Sequence, residues 1–302
     1  MARQHIPAVG IWLTLAAYFI LSLFSALNKY VQELGYGATQ VMFFDGLVGM
    51  ICMVAIAAQQ KDLKGLRPRK FMQVVLMILN VGAAFMIFPA YPHLPLVTAY
   101  LIAFTGPLMI TLLSALFLKE KIGFPQAAAV LVGFGAVAYS MVAQQASGLA
   151  AAFDPAQLPY ILRMIAGTFL FATTQVMVRK LSDTESTWSF PFFYYAGMFV
   201  LTGLFFHDSI VLPTAPREWA LLMSLGVLDA ASLAMIYLGL KYAKASTVVP
   251  FQYSGMIWIV LLDLVLWDKI PALPQVMGAV VLVAAGIYLA THERRLYRNS
   301  VK

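Results

Sequence analysis

KYAKASTVVPFQYSGMIWIVLLDLVLWDKIPALPQVMGAVVLVAAGIYLA, residues 241–290, contains two apolar runs, 247–266 and 274–290. The short polar break Trp267-Asp268-Lys269 lies between them. The hydrocarbon core of a bilayer is about 30 Å thick, and a helix needs about 20 apolar residues to cross it. Both runs come close to that length, so the stretch predicts two membrane-spanning helices joined by a short loop.

The same pattern occurs earlier in the chain, at 98–139. An offset of 148 residues aligns Glu120 with Asp268, and it aligns the next two residues, Lys-Ile, with an identical Lys-Ile pair. The alignment predicts that the chain consists of two duplicated halves.

The overall composition agrees with a membrane protein. Hydrophobic residues make up 62% of the 302 residues and charged residues only 11%, whereas soluble domains have about 45–50% and about 25%. The net charge of +7 is spread over short loops, which argues against a nucleic-acid partner. Cys52 is the only cysteine, so the sequence predicts no intrachain disulfide, no metal site and no cofactor.

We predict an all-α integral membrane protein with ten transmembrane helices in two five-helix repeats, 1–147 and 155–302. The first run has no clear cleavage site, so it is counted as a span and not as a signal peptide. The predicted spans are 9–27, 39–58, 71–90, 96–118, 124–143, 160–178, 190–206, 218–239, 247–266 and 274–290.

The positive-inside rule predicts the orientation. With the N-terminus inside, sixteen of the 20 Lys and Arg residues fall on the cytoplasmic side. Both termini are therefore expected to be cytoplasmic. Because five is an odd number of spans, the second repeat enters the membrane in the opposite sense. Inverted repeats of this kind place a substrate site near the bilayer midplane, which predicts a secondary transporter.

Two other classes of protein fit less well. A channel is the weaker alternative, because the sequence has no ring-forming charged filter or pore-loop signature. An intramembrane enzyme is not expected, because all four histidines fall in loops or tails without metal-ligand spacing: His5, His93, His207 and His292.

Three segments resemble the drug/metabolite transporter superfamily, in its ten-helix type with two EamA domains. They are TAYLIAFTGPLMITLLSALFLKEKIG at 98–123, YAKASTVVPFQYSGMIWIVLLDLVLWDKIP at 242–271 and ALNKYVQELGYGATQVMFF at 26–44. The resemblance covers nearly the whole chain and implies metabolite transport. Its motifs are specific for the fold but not for the substrate, because similar proteins move amino acids, S-adenosylmethionine, riboflavin, choline-like solutes and metallophores.

The chain departs from the family pattern at two acidic residues. Asp45 stands where similar proteins usually carry Arg, and Asp263 stands where Gly is common. A third acid, Asp229, falls near the middle of the eighth span. A charge at that depth costs about 2.5–3.5 kcal/mol on insertion scales, so it normally faces a cavity or a partner. For Asp45 and Asp263, hydration or pairing with Arg163 is an equally good interpretation.

The three acids favour a cationic or zwitterionic solute, such as an amino acid or a quaternary amine held partly by aromatic faces. The alternative is a neutral or aromatic nucleoside-like metabolite of the S-adenosylmethionine or riboflavin class. The predicted substrate-binding residues are Asp229, Asn80, Tyr100, Phe104, Gln252, Tyr253, Trp258, Ser22 and Ser232. The predicted coupling or gating residues are Asp45, Arg163, Asp263, Pro107 and Pro250.

The predicted location is a bacterial inner membrane, with the lipid bilayer and the small-molecule substrate as partners. A proton is a candidate coupling ion. The sequence leaves open whether the protein is a monomer or a homodimer, and whether it imports or exports.

Overall fold

The computed structural model describes residues 7–66, 71–118, 123–143, 155–181, 186, 188–242 and 251–300. Every regular element in these ranges is helical. The α-helices are α1 (Pro7–Glu33), α2 (Ala38–Gln59), α3 (Phe71–Ile87), α4 (Leu96–Ala103), α5 (Gly106–Leu118), α6 (Phe124–Val142), α7 (Leu158–Leu181), α8 (Ser189–Phe205), α9 (Pro216–Tyr242), α10 (Ser254–Trp267) and α11 (Leu273–Ser300). Short 3-10 helices occupy Leu63–Leu66, Phe88–His93 and His207–Ser209.

Six of the described segments are long and apolar enough to cross a membrane: Ala8–Glu33, Ala38–Gln59, Phe71–His93, Leu96–Phe117, Leu158–Val178 and Pro216–Gly239. Shorter apolar helices cover Ala127–Ser140, Ser189–Phe205, Ser254–Trp267 and Leu273–Tyr288. Helices satisfy their own backbone hydrogen bonds, which is what a chain in lipid requires. The protein is therefore an integral membrane protein, and the count of ten crossings stays a prediction.

The predicted run 96–118 is divided into two helices. Phe104 and Thr105 separate α4 from α5, and the Thr105 hydroxyl donates a hydrogen bond to the Ile102 carbonyl at 2.6 Å. Pro107 lies just after the break, in the first turn of α5, where its missing N–H leaves no helical hydrogen bond unmade. The break thus begins three residues before Pro107, the predicted gating residue. Pro250, at the start of the ninth run, lies outside the described residues.

The polar break at the end of α10 is a tight helix terminus. Asp268 adopts a left-handed conformation with φ of 51°, and its N–H bonds the Leu264 carbonyl at 3.1 Å. A left-handed residue commonly ends a helix because it redirects the chain while satisfying a terminal carbonyl. The short connection that follows leads directly into α11.

The helices pair in a pattern that is unchanged when the two halves of the chain are exchanged. The most extensive packing joins α1 to α9, α3 to α7, α2 to α8 and α6 to α11. Thus the first helix of each half packs on the third helix of the other half. The second helices pack on each other, and so do the last.

Small residues allow these pairs to come close. A Cβ on Gly226 of α9 would lie 2.6 Å from Val48 Cβ and 2.9 Å from the Asp45 carbonyl oxygen of α2. A Cβ on Gly46 of α2 would lie 2.6 Å from the Phe199 nitrogen of α8. Backbones in lipid approach closely at such residues. The α2 helix is therefore held directly against α8 and α9, and this contact positions the acidic residue Asp45.

Candidate functional site

Two acidic residues lie on the helices that meet at the α2–α9 contact, Asp45 on α2 and Asp229 on α9. Asp45 is fully buried, and neither of its carboxyl oxygens has a hydrogen-bond partner. Asp229, at the middle of α9, is half-buried and accepts a hydrogen bond from the Tyr195 hydroxyl at 2.8 Å. The two carboxyl groups are close enough to interact electrostatically. A buried, unpartnered carboxyl beside a second one requires a positive charge or a proton.

Tyrosine side chains surround this carboxyl pair. Tyr195 is fully buried on α8, and the ring of Tyr194 lies 5.0 Å from it. Tyr91, in the 3-10 helix after α3, is within electrostatic range of Asp229. In the described part of the chain, no basic side chain pairs with either carboxyl group. The pair is therefore an acidic site lined by phenols, which suits a cation.

A second cluster combines hydroxyl and aromatic groups where α1, α4 and α10 meet. The Ser25 hydroxyl lies 2.9 Å from the Tyr100 hydroxyl, and the Ser22 hydroxyl donates to the Gly255 carbonyl at 3.3 Å. The Tyr100 ring packs edge-on against Phe104 at 5.5 Å between ring centroids. The Phe104 ring in turn lies 5.4 Å from the Tyr253 ring. Four predicted substrate-binding residues thus come together here: Ser22, Tyr100, Phe104 and Tyr253.

Tyr91 connects the two clusters. Its hydroxyl lies 3.4 Å from the Ser25 hydroxyl, while its phenol is also within range of Asp229. Tyr91 was not among the predicted site residues, because it stands in the connection after the third span. Tyr194 and Tyr195 were not predicted either, although their aromatic stretch, Phe-Pro-Phe-Phe-Tyr-Tyr at 190–195, is visible in the sequence.

A third polar cluster lies at one end of the helix bundle and is centred on Lys29. This lysine is 1% exposed, and its Nζ donates to the Leu94 carbonyl at 3.1 Å. The same Nζ lies 4.0 Å from Asp263 Oδ1 and 4.6 Å from the centre of the Trp267 ring. The other Asp263 oxygen accepts a hydrogen bond from the Val97 N–H at 3.0 Å. Asp263 therefore both faces Lys29 and caps the start of α4.

Arg163 is not the partner of these acids. It lies exposed on α7, with its guanidinium 5.8 Å from the centre of the Tyr160 ring. The alternative that paired Asp263 with Arg163 is therefore replaced by the contact with Lys29. Lys29 and Asp263 meet because α1 packs on α10, a contact that no sequence spacing reveals.

The other predicted substrate-binding residues lie apart from the clusters or at their edges. Asn80 accepts a hydrogen bond from Thr174 at 3.1 Å, between α3 and α7. The Ser232 hydroxyl donates to the Asp229 backbone carbonyl at 2.8 Å. Trp258 packs against Phe19 at 4.9 Å between ring centroids, and Gln252 is half-buried just before α10. The predicted set thus does not form a single continuous site.

The helices in lipid and the polar clusters buried between them define a multi-pass membrane protein of the transporter type. The EamA-like transporter family model matches residues 8–142 and again residues 158–291. The chain belongs to this family, and the resemblance to two-EamA transporters is confirmed. Its family is one of transporters and not of enzymes.

Relatives that match along the chain are also transporters. The pseudopaline exporter CntI of Pseudomonas aeruginosa is 25% identical over 284 residues, covering 93% of this chain and 95% of the relative. The riboflavin transporter of Vibrio cholerae is 23% identical, covering 99% and 98%. The S-adenosylmethionine uptake transporter of Rickettsia conorii is 24% identical, covering 67% and 65%. A solved crystal structure with 19% identity superposes with a TM-score of 0.69 over 98% of this chain and 99% of that chain, so the fold is shared.

Proposed function

We propose that the chain is an alternating-access secondary transporter of a small cationic or zwitterionic metabolite, such as an amino acid or a quaternary amine. The positively charged group binds at Asp45 and Asp229, and the rest of the solute lies against the tyrosines that lead to Ser25 and Tyr100. The protein resides in a bacterial inner membrane.

The carboxyl pair carries this proposal. A buried acid without a hydrogen-bond partner stabilises nothing in the protein, yet it costs about 1–3 kcal/mol of desolvation. Asp45 is such a group, and Asp229 lies beside it. The positive charge of an organic cation would be shared between the two carboxyl groups and would neutralise one of them, and the phenols of Tyr91 and Tyr194 would contact its apolar surface. A proton could occupy the same carboxyl pair when the substrate has left, which makes it the proposed coupling ion.

Ten crossings in two inverted repeats, 1–147 and 155–302, are part of the proposal. The pairing of the helices, which is unchanged when the two halves of the chain are exchanged, supports this arrangement. So do contacts between segments predicted on the same side: Gln40, in the first turn of α2, donates to the Val211 carbonyl at 2.5 Å at one end, and Ser186 donates to Asp62 at the other. The bias of basic residues supports a cytoplasmic location for both termini.

This topology has a direct test. In a Cys52→Ala background, a cysteine introduced at Gln157 should react with an impermeant thiol reagent added to intact cells. Protection of that cysteine, with labelling demonstrated at Asp208→Cys, would overturn the inverted arrangement.

The contacts of the Lys29 cluster support a state of the proposed transport cycle that is closed to the outside. The cluster joins α1, the connection before α4, and α10 at the end of the bundle that we assign to the outside. The Gln275 side chain of α11 adds a hydrogen bond to Thr98 of α4 at 3.1 Å. The outer ends of the two halves are therefore joined, and opening to the outside requires separation of Lys29 from Asp263.

A neutral, aromatic nucleoside-like solute is the second candidate. The rings of Tyr100, Phe104 and Tyr253 favour it, because they form a continuous aromatic surface with few charges. Both candidates share the carrier mechanism and differ in their dependence on the carboxyl pair.

The function is tested with the purified protein in liposomes. A thermal-shift screen against metabolites first identifies a ligand, since binding raises apparent stability by mass action. Counterflow of the labelled ligand then measures exchange. A carrier accumulates label transiently against its gradient, whereas flux without counterflow would indicate a channel and overturn the proposal. Loss of counterflow in Asp45→Asn, with the exposed control Asp208→Asn unchanged, would support a cationic substrate.

A further inference from the structure

An apolar groove runs along the lipid-facing side of α7, between α3 and α5. Its volume is about 510 Å³, within the range of about 300–1,000 Å³ typical of ligand pockets. Gly82 and Met86 of α3, Met109 of α5, and Ile165, Ala166 and Phe169 of α7 lie along it. All its lining residues are apolar, so it offers no group that would orient a polar metabolite.

The length of the groove along α7, and its distance from the start of that helix, match one leaflet of the bilayer. Along α7 it extends from Leu162 to Leu170, which corresponds to about 12 Å at 1.5 Å per residue. Half of the hydrocarbon core is about 15 Å thick. Since α7 begins at Leu158, the groove starts about one turn inside the helix end. These dimensions suit a single lipid acyl chain lying parallel to the helix.

A positive charge stands at the end of the groove nearer the membrane surface. Arg163 directly follows Leu162 and lies three positions before Ala166, so it is on the same side of α7. It is exposed, and no carboxylate of the described residues forms an ion pair with it. A long arginine side chain in this position extends toward the headgroups. Its planar guanidinium matches the geometry of a phosphate.

We propose that this groove is a binding site for an anionic phospholipid of the leaflet in which α7 begins. One acyl chain occupies the groove, and the headgroup phosphate binds Arg163. Charge complementarity selects this occupant over a second copy of the chain. The inference rests on the membrane placement of α7 and not on the identity of the transported solute.

The location gives the lipid a route to influence transport. α3 and α7 come from opposite halves of the chain, and they cross closely at Gly167, where a Cβ would lie 3.1 Å from the Ala83 carbonyl oxygen. A chain bound beside this crossing contacts both helices at once. We therefore expect the bound lipid to stabilise their packing.

Native mass spectrometry of the delipidated, full-length protein tests the proposal. Phosphatidylglycerol and phosphatidylethanolamine are added separately, and bound lipid is counted per protein. Wild type should retain phosphatidylglycerol preferentially. Arg163→Ala should reduce that retention about fivefold, the value expected for one basic side chain near anionic headgroups. Arg163→Lys should restore most of it.

Matched controls separate a specific site from general lipid contact. Arg217→Ala removes another exposed basic residue and should leave retention unchanged. Ala166→Leu fills the groove while keeping Arg163 and should remove the preference for phosphatidylglycerol. Ala138→Leu adds the same bulk on the exposed face of α6 and should not. Equal loss in Arg217→Ala, equal retention of both lipids by wild type, or a dimer that Ala166→Leu dissociates would each overturn the proposal.

Discussion

Replacement of Asp45 by leucine is expected to stabilise the folded protein and to weaken binding of the substrate. The side chain is fully buried on α2, and neither carboxyl oxygen has a hydrogen-bond partner, so the substitution removes no hydrogen bond. It removes a desolvation cost of about 1–3 kcal/mol, and the free energy of unfolding should rise by up to that amount. Asp45→Asn should leave stability nearly unchanged, because the amide is buried in the same way.

The effect on binding should be opposite. For a ligand with a protonated amine, a charge-assisted hydrogen bond to the carboxylate contributes about 1.5–3 kcal/mol, which corresponds to about tenfold to hundredfold in affinity. Both variants should therefore bind such a ligand at least tenfold more weakly. Thermal unfolding in detergent measures stability, and ligand-induced thermal shift measures affinity. Lower stability of Asp45→Leu together with unchanged affinity in Asp45→Asn would refute the reasoning and make Asp45 a structural residue.

Three further variants test other parts of the site. Asp229→Asn should lower substrate affinity about tenfold while the protein still folds, whereas normal exchange with loss of uptake driven by a pH gradient would instead make this residue the proton carrier. Lys29→Met should lower the free energy of unfolding by about 3–5 kcal/mol because Asp263 is left buried without its counter-charge; unchanged thermal stability would mean that the pair is not needed. Gly226→Leu should separate α9 from α2, cost about 1–3 kcal/mol and impair counterflow. Gly135→Leu, where no atom lies within 4 Å of the added Cβ, should leave both stability and counterflow intact.

The fold class was predictable because hydropathy acts over whole segments. Runs of apolar residues such as 39–58 become helices wherever lipid is the solvent, and the structure has α2 at Ala38–Gln59. The division of the fourth span was less predictable. The break is at Phe104 and Thr105, and Pro107 indicates its position only approximately.

The assembly of the site could not be predicted, because it depends on which helix faces meet. Asp45 and Asp229 were each identified as unusual acids, but their pairing depends on the close contact at Gly226. For the same reason, the sequence could not predict that Asp263 faces Lys29 and not Arg163. Helical spacing shows which residues share a face of one helix, yet it carries no information about the helix on the other side.

The break between α4 and α5 has a mechanical consequence. α4 contains eight residues, and a helix that short does not persist in isolation. Its first turn is capped by Asp263 of α10, and Thr98 is hydrogen-bonded to Gln275 of α11, while the helical hydrogen bonding to α5 is interrupted. The first turn of this segment, which is encoded in the first half of the chain, is thus anchored to the second half, and Tyr100 further along binds α1, at Ser25 and Leu21. When the halves move apart, α4 should travel with α10 and α11, with Phe104 and Thr105 as the joint.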